Sequence, residues 1–265
     1  MTPARALPAP HPRLHEDHIL GMAEMGFAGL SEQWLMRRAG DLHWRLIAQA
    51  MGQRRAVFTC AQGQPLYAAF CATSLRLRAT PDLGDTLSLS GTLGQLGHGR
   101  LASVQQIEAG GRRIGRIILI SVFVGRTDPA CNHGIVRRAP RMMALPAPAP
   151  RVAQKLAQHA ARIARARPVI DGPRTRLLPC PALDFNAARL MYFPSFAALS
   201  ERADFALGAP HARRIVARDV VYQGNVAPGE EVEATLCRQP ARTLCQLATP
   251  DGRPLALMRS RYIAI

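Results

Sequence analysis

A helix-like segment followed by four strand-like runs occurs twice along this chain of 265 residues, and that repeat constrains the fold more than any other feature. In the first half, Leu35, Ala39, Leu42, Leu46 and Ala50 recur at three- and four-residue spacing, which predicts a helix with one apolar face. Gly26 and Gly29 precede it, Gly40-Asp41 is a point at which it could kink or restart, and Gly52 is placed to stop it. Residues 65–77, 86–94, 101–108 and 113–124 then read as strands, divided by glycine-rich turn signals. In the second half, Asp184-Phe185-Asn186 leads into a helical pattern that Pro194 is suited to open and Gly208 to end. Residues 214–222, 230–238, 242–248 and 254–263 follow as strands. Matching landmarks are offset by 156 residues (Gly52 and Gly208), 145 (Gly84 and Gly229) and 141 (Gly111 and Gly252), so the second copy has the shorter loops.

A helix followed by an antiparallel meander, twice, predicts an α+β protein of the double hot-dog type, two fused units that each wrap a helix in sheet. Two unrelated α+β domains are the alternative. The Pro-rich stretch 139–150 (APRMMALPAPAP) marks a linker, and a basic helix-like segment, 151–167, follows it. The expected organisation is an N-terminal unit over 1–138, a Pro-rich and basic connector over 139–176, and a C-terminal unit over 177–265.

Charge is the unusual part of the composition. The chain has 34 basic residues against 18 acidic, a net +16, and Lys155 is the only lysine. Residues 137–176 hold ten basic residues and one acidic, so +9 of the total surrounds the connector. A basic chain can bind nucleic acid or an acidic partner. No nucleic-acid motif is present, however, and only 5% of residues are aromatic, which leaves little for base stacking. No apolar run approaches the roughly 20 residues of a membrane-spanning helix, and the first residues lack the apolar core of a signal peptide. The six cysteines form no C-x-x-C pair, which predicts reduced thiols in a cytoplasmic protein.

Few residues suggest chemistry. His11, His15 and His18 are spaced like weak metal ligands but lie among prolines without cysteines, so solvated histidines and no metal are expected. Free N–H groups at a helix start can hold a thioester carbonyl, and Asp184 and Asn186 beside one could serve as base and orienter; as caps or turn formers they would need no chemistry. Tyr67 lies on the strand after the first helix with small neighbours, Ala69 and Cys71, on its own face. It reads either as a packed core tyrosine or as a nucleophile whose oxyanion must be stabilised.

These same residues carry a resemblance. GLSEQWL, GDLHW with the trailing IAQAMG, PLYAAF, the 123–140 stretch with Asn132, DFNAARLMYFPSF, ADF, RDVVYQGN and DGRPLA occur in order across residues 20–264. Together they resemble the leinamycin-pathway bifunctional acyltransferase/decarboxylase family, whose fold is a double hot-dog. The resemblance implies an enzyme that takes a short acyl group from a malonyl- or methylmalonyl-type CoA thioester and decarboxylates it on a tyrosine. The acyl group then passes to the phosphopantetheine thiol of an acyl carrier protein in polyketide-type biosynthesis. Tyr67 matches that tyrosine. Gly29 and Ser31 at a helix start would stabilise the oxyanion, and His43, Asn132, Asp184 and Asn186 would bind or orient the substrate. No bound cofactor is implied, CoA and the carrier protein being substrate and partner, and a homodimer is compatible with the pattern. Ala187 stands where relatives have glycine, which limits close backbone approach in the second half. The alternatives are an acyl-CoA or acyl-carrier-protein thioesterase of the hot-dog fold, for which Asp184 would activate water, and a non-catalytic acyl-thioester-binding protein.

Overall fold

The computed structural model describes residues 12–97, 99–128, 132, 134–141 and 146–265. Strand β1 (Arg13–Ile19) and the short pair β2 (Met25–Gly26) and β3 (Gly29–Leu30) lead into helix α1 (Glu32–Ala50). The first half continues with β4 (Phe58–Thr59), β5 (Pro65–Leu77), β6 (Thr86–Leu96), β7 (Arg100–Ala109), β8 (Arg112–Arg126) and β9 (Ile135–Arg137). Helix α2 (Arg151–Ala166) crosses to the second half, which holds β10 (Arg174–Leu177), the single turn α3 (Pro181–Asp184) and helix α4 (Phe193–Ala206). Strands β11 (Arg213–Tyr222), β12 (Val232–Gln239), β13 (Arg242–Ala248) and β14 (Pro254–Ala264) complete it.

Twelve of these strands form one antiparallel sheet: ten run in the order β1-β6-β7-β8-β5-β11-β14-β13-β12-β10, and β4 and β9 add to it by pairing with β5 and β8. The order has the same connectivity read outward from its centre in either direction, so the repeat seen in the sequence appears as an approximate two-fold about the β5–β11 contact. That contact runs from Arg76 opposite Ala217 to Ala72 opposite Val221 and then stops. On one face, α1 lies over the first half with Leu35, Leu42, Leu46 and Ile47 buried among Leu75, Leu87, Leu89 and Leu119. Helix α4 lies over the second half, with Phe196, Leu199 and Ala203 against Val220, Leu236 and Met258. On the opposite face α2 lays Ala153, Leu156, Ala157 and Ala160 onto Ala72, Ala102, Ile118, Ile120 and Val221. The segment expected as a connector is thus also a cover for the seam between the halves.

Other departures from the sequence reading have local causes. Strand β1 pairs with β6 along its length; as an edge strand, RLHEDHI alternates only exposed and half-buried residues and so lacks an apolar signal. Strand β10, likewise short and charged, pairs with β12. Helix α4, by contrast, starts at Phe193 with Pro194 in its first turn, as the sequence suggests. Helix α1 passes through Gly40-Asp41 without a break. Gly40 is there for space: a Cβ would stand 2.8 Å from Cε1 of Phe193, so its absence lets α1 and α4 approach.

A buried ionic cluster joins the halves. Arg218 of β11 donates from Nε to Glu32 at the start of α1 (2.8 Å), from Nη1 to Ser200 (2.9 Å), and from Nη2 to Glu201 of α4. The next residue, Asp219, faces the other side of the sheet and accepts from Arg76 (2.7 Å) and Arg259 (3.2 Å).

His43 is a core residue. It is fully buried on α1, with Nδ1 2.8 Å from Ser103 Oγ and Nε2 2.8 Å from Ser121 Oγ. Both ring nitrogens are used, one donating and one accepting in the neutral ring.

Two outcomes are expected. Gly40→Ala gains about 1 kcal/mol of helix propensity but drives a methyl into a ring held by Phe70 (4.3 Å) and Tyr192 (5.2 Å between centroids). A net loss of about 1–3 kcal/mol in urea unfolding is expected, partly relieved in Gly40→Ala/Phe193→Leu; a neutral single variant would show that this contact does not set the helix spacing. Burial lowers the His43 imidazole from 6.5 to about 3. Below pH 6.5 the unfolded chain takes up a proton that the folded chain refuses, so stability is full above that pH and falls as pH drops towards 3. The fall amounts to roughly 4–5 kcal/mol across that window, and His43→Gln should flatten the slope between pH 6 and 4.

Candidate active site

Where the β5–β11 pairing ends, the two chains separate and a cavity of about 1130 Å³ fills the gap. Both halves build it: Tyr67 to Cys71 of β5 and Val122 and Val124 of β8 on one side, the turn before α4 and residues 222–225 on the other. Its floor is aromatic. Phe193 touches Phe70 (4.3 Å between centroids) and Tyr222 (6.4 Å), and Tyr222 touches Phe196 (5.2 Å). These rings keep the strands apart beyond Val221.

Tyr67 lies opposite Val124 on β8, half-buried at the cavity wall and on the face of the sheet that α2 covers. The Arg126 guanidinium stands over its ring, 5.9 Å from the centroid. Arg126 is held in place by donating to Asn132 Oδ1 (2.8 Å) and to the Ala188 carbonyl. Asn132 in turn donates to the carbonyls of Arg189 (2.7 Å) and Val226 (2.9 Å). Asn132 lines the cavity, but its amide is committed to bracing the two halves around Tyr67 rather than to a ligand.

Asn186 also lines the cavity. Its Oδ1 accepts from the Ala188 N–H (3.0 Å) and the Leu190 N–H (3.2 Å), shaping the turn in which Arg189 takes a left-handed φ of 57°. Asn225 plays the matching part from the loop after β11, accepting from the Met191 N–H (2.9 Å) and donating to its carbonyl (3.1 Å).

The remaining residues singled out from the sequence lie elsewhere. Asp184 is buried beside α4, accepts from the Cys180 N–H (2.9 Å) and lies 3.4 Å from Arg202 Nη1; it caps α3 and does not reach the cavity wall. Ser31 caps α1 by accepting from the Trp34 N–H (3.3 Å), and its own N–H is taken by Glu24 O (2.9 Å). Gly29, at φ 103°, packs against Thr80, and the Leu30 N–H donates to the Thr80 hydroxyl (3.3 Å). The helix-start amides expected to hold an oxyanion are therefore engaged, and His43 stays in the core. His15 approaches Ser90 (2.8 Å) and His18 Glu16 (3.0 Å) on β1, while His11 lies outside the described residues.

The described wall of the cavity contains arginines (Arg37, Arg167, Arg253) but no aspartate, glutamate or histidine. It also carries three phenols, which differ. Burial, and then the charge of Asp41, pushes Tyr192 up to about 12. Burial raises Tyr222 as well, and its hydroxyl is already near Thr73 and the Phe193 carbonyl (both 3.3 Å). Tyr67 is the one with a guanidinium over its ring. Arg126 and Asn225 were not foreseen as functional: no spacing sets Arg126 apart among 33 arginines, whereas Asn225 stood in the RDVVYQGN segment without a role.

No protein-family profile matches the chain, and no curated protein matches it. Solved structures do. An acyl-ACP thioesterase from Bacteroides thetaiotaomicron aligns with a TM-score of 0.67 at 10% identity, covering 95% of this chain and 98% of that one. The 12:0-ACP thioesterase from Umbellularia californica aligns at 0.67 and 11% identity, covering 96% and 98%. A MaoC-like dehydratase from Phytophthora capsici aligns at 0.51 and 15% identity, covering 97% and 96%. At such identities the likeness is one of fold, and it identifies the α+β architecture as that of hot-dog proteins.

Proposed function

We propose that this chain is a double hot-dog acyltransferase acting on acyl thioesters, with Tyr67 as the acyl acceptor, and with the two units and the connector divided as the sequence suggests. The supporting observation is Tyr67 at the wall of a cavity whose described lining offers no carboxylate or imidazole, with the Arg126 guanidinium over its ring from outside that lining. A guanidinium at that place stabilises the negative charge that develops on the thioester oxygen during attack, and Asn132 holds it there.

In the proposed cycle the Tyr67 oxygen attacks the thioester carbonyl. A C–O bond forms, the C–S bond breaks, and the phenolic proton leaves with the CoA thiol. For a malonyl- or methylmalonyl-type donor, the C–C bond to the free carboxylate then breaks. CO2 departs, its electron pair passes into an enolate, and a solvent proton is added at the α-carbon. The phosphopantetheine thiol of a carrier protein attacks the Tyr67 ester, the C–O bond breaks, and the phenol recovers its proton. The wall arginines are suited to the anionic groups of such donors. A second reading keeps the first step and makes water the acceptor, giving a thioesterase; its support is the full-length likeness in fold to the acyl-ACP thioesterases.

Incubation with malonyl- and methylmalonyl-CoA, followed by peptide mass analysis, is expected to show an added acyl mass on the Tyr67 peptide, lost in Tyr67→Phe. Arg126→Gln should slow adduct formation about 100-fold or more. Propionyl or acetyl groups on the carrier protein support transfer, and free acid formed through the same adduct supports hydrolysis. An adduct that persists in Tyr67→Phe, or thioester cleavage that survives Tyr67→Phe and fails in Asp184→Asn, removes Tyr67 from the chemistry.

A further inference from the structure

A second groove, of about 550 Å³, lies between α2 and the hairpin joining β6 to β7, and the repeat does not require it. Two guanidiniums border it: Arg100, half-buried at the start of β7, and Arg165, exposed near the end of α2. Neither side chain makes a hydrogen bond or ion pair among the described residues, so both charges are available to a ligand. Leu96, Pro148, Ala157 and Ala161 give the groove apolar walls, and Gln95 and Gln158 add amides. Such a lining suits a flat heterocycle with phosphates attached.

Its position relative to the main cavity is set by sheet register. Arg100 lies opposite Val122 of β8, and Val122 lies opposite Ala69 of β5. Directly paired residues share a face of the sheet, so Arg100, Val122, Ala69 and Tyr67 all point to the side that α2 covers. Val122, Ala69 and Tyr67 line the main cavity. Arg100 is two strands and two residues from Tyr67, about 12 Å between Cα atoms. Its charge also reaches the cavity wall: burial raises the Cys71 thiol, and Arg100 and Arg137 draw it back down. An extended phosphopantetheine arm covers that distance.

We propose that this groove binds the 3′-phosphoadenosine diphosphate end of coenzyme A, with Arg100 and Arg165 on its phosphates and the base against the apolar wall, while the pantetheine arm reaches Tyr67. The groove would then select a CoA donor, since the prosthetic arm of a carrier protein has a phosphate but no nucleotide. The path of the arm rests on the acyl-thioester reading of the main cavity, whereas nucleotide binding can be measured without it.

Calorimetry with adenosine 3′,5′-bisphosphate, ADP and inorganic phosphate tests the groove directly. The bisphosphate should bind one per chain and more tightly than ADP, with inorganic phosphate weakest. Arg100→Glu/Arg165→Glu, and the milder Arg100→Gln/Arg165→Gln, should weaken it about tenfold or more. In the same variants, Tyr67 acylation should need about tenfold more acyl-CoA while acylation by an acyl-pantetheine thioester is unchanged. Equal bisphosphate binding by wild type and both variants, no binding, or ADP binding as tightly as the bisphosphate would overturn the assignment. Arginine-dependent bisphosphate binding without any Tyr67 adduct from either donor would instead support the groove and count against the acyltransferase reading.

Discussion

The short backbone pairing between β5 and β11 is the constraint on which the rest of the molecule depends. Five residue pairs join two halves whose main apolar cores lie one under α1 and one under α4, with Phe193 of α4 packed into the first and α2 covering the seam. Adjacent charges pin the register. Arg218 faces the helices and is held by Glu32 and Glu201, while Asp219 faces the opposite side and is held by Arg76 and Arg259. A slip of one residue would turn Asp219 inward against two carboxylates and leave Arg218 away from both. Burial already pushes the Glu32 carboxyl up even beside Arg218, so the cluster is costly to desolvate and stable only as a complete set. It contributes as much to specifying one alignment of the halves as to net stability.

The cavity follows from where that pairing ends. Beyond Ala72 and Val221 the strands part around Phe193 and Tyr222, and the gap connects the helical side of the sheet with the α2 side. At the opposite end of the pairing Arg213 lies over the Tyr262 ring (3.9 Å) and joins Asp204 and Glu201. The approximate two-fold of the strand order is therefore broken in its side chains. One end presents a tyrosine beneath a braced arginine, and the other presents a closed network of ion pairs. The two ends of the pairing are equivalent in strand order, and their side chains make them chemically different.

Much of the architecture was legible in the sequence because its signals are local. The β5 and β13 bounds match the residues read from alternation and turn signals, and the ends of β6, β7, β8, β11, β12 and β14 move by no more than two residues. What was missed depends on partners distant in the chain. Strands β1 and β10 are edge strands whose identity comes from β6 and β12, not from their own polar sequences. Helix α2 showed its charge plainly, but its narrow Ala153, Leu156, Ala157 and Ala160 stripe became meaningful only once a sheet face needed covering. Asp184 and Asn186 are neighbours in sequence, yet a turn sends one to cap α3 and the other to the cavity wall. His43 carries no mark that separates a ligand from a core residue; the two serines that bind it come from β7 and β8.

The net charge of +16 acquires a structural reading in the same way. Arg126 serves the candidate site only because Asn132 and the turn at 186–190 hold it over Tyr67. Arg218 and Arg76 are consumed in joining the halves, and Arg238 and Arg213 in fastening Asp204 of α4. On α2, by contrast, the C-cap Arg167 lines the main cavity and Arg165 borders the groove beside it, and neither side chain is in an ion pair among the described residues. A described wall with cations and no carboxylate favours anionic substrates and leaves water without a base. On the proposed reading, Tyr67 is the nucleophile there, and the thiolate of a thioester is the group it displaces.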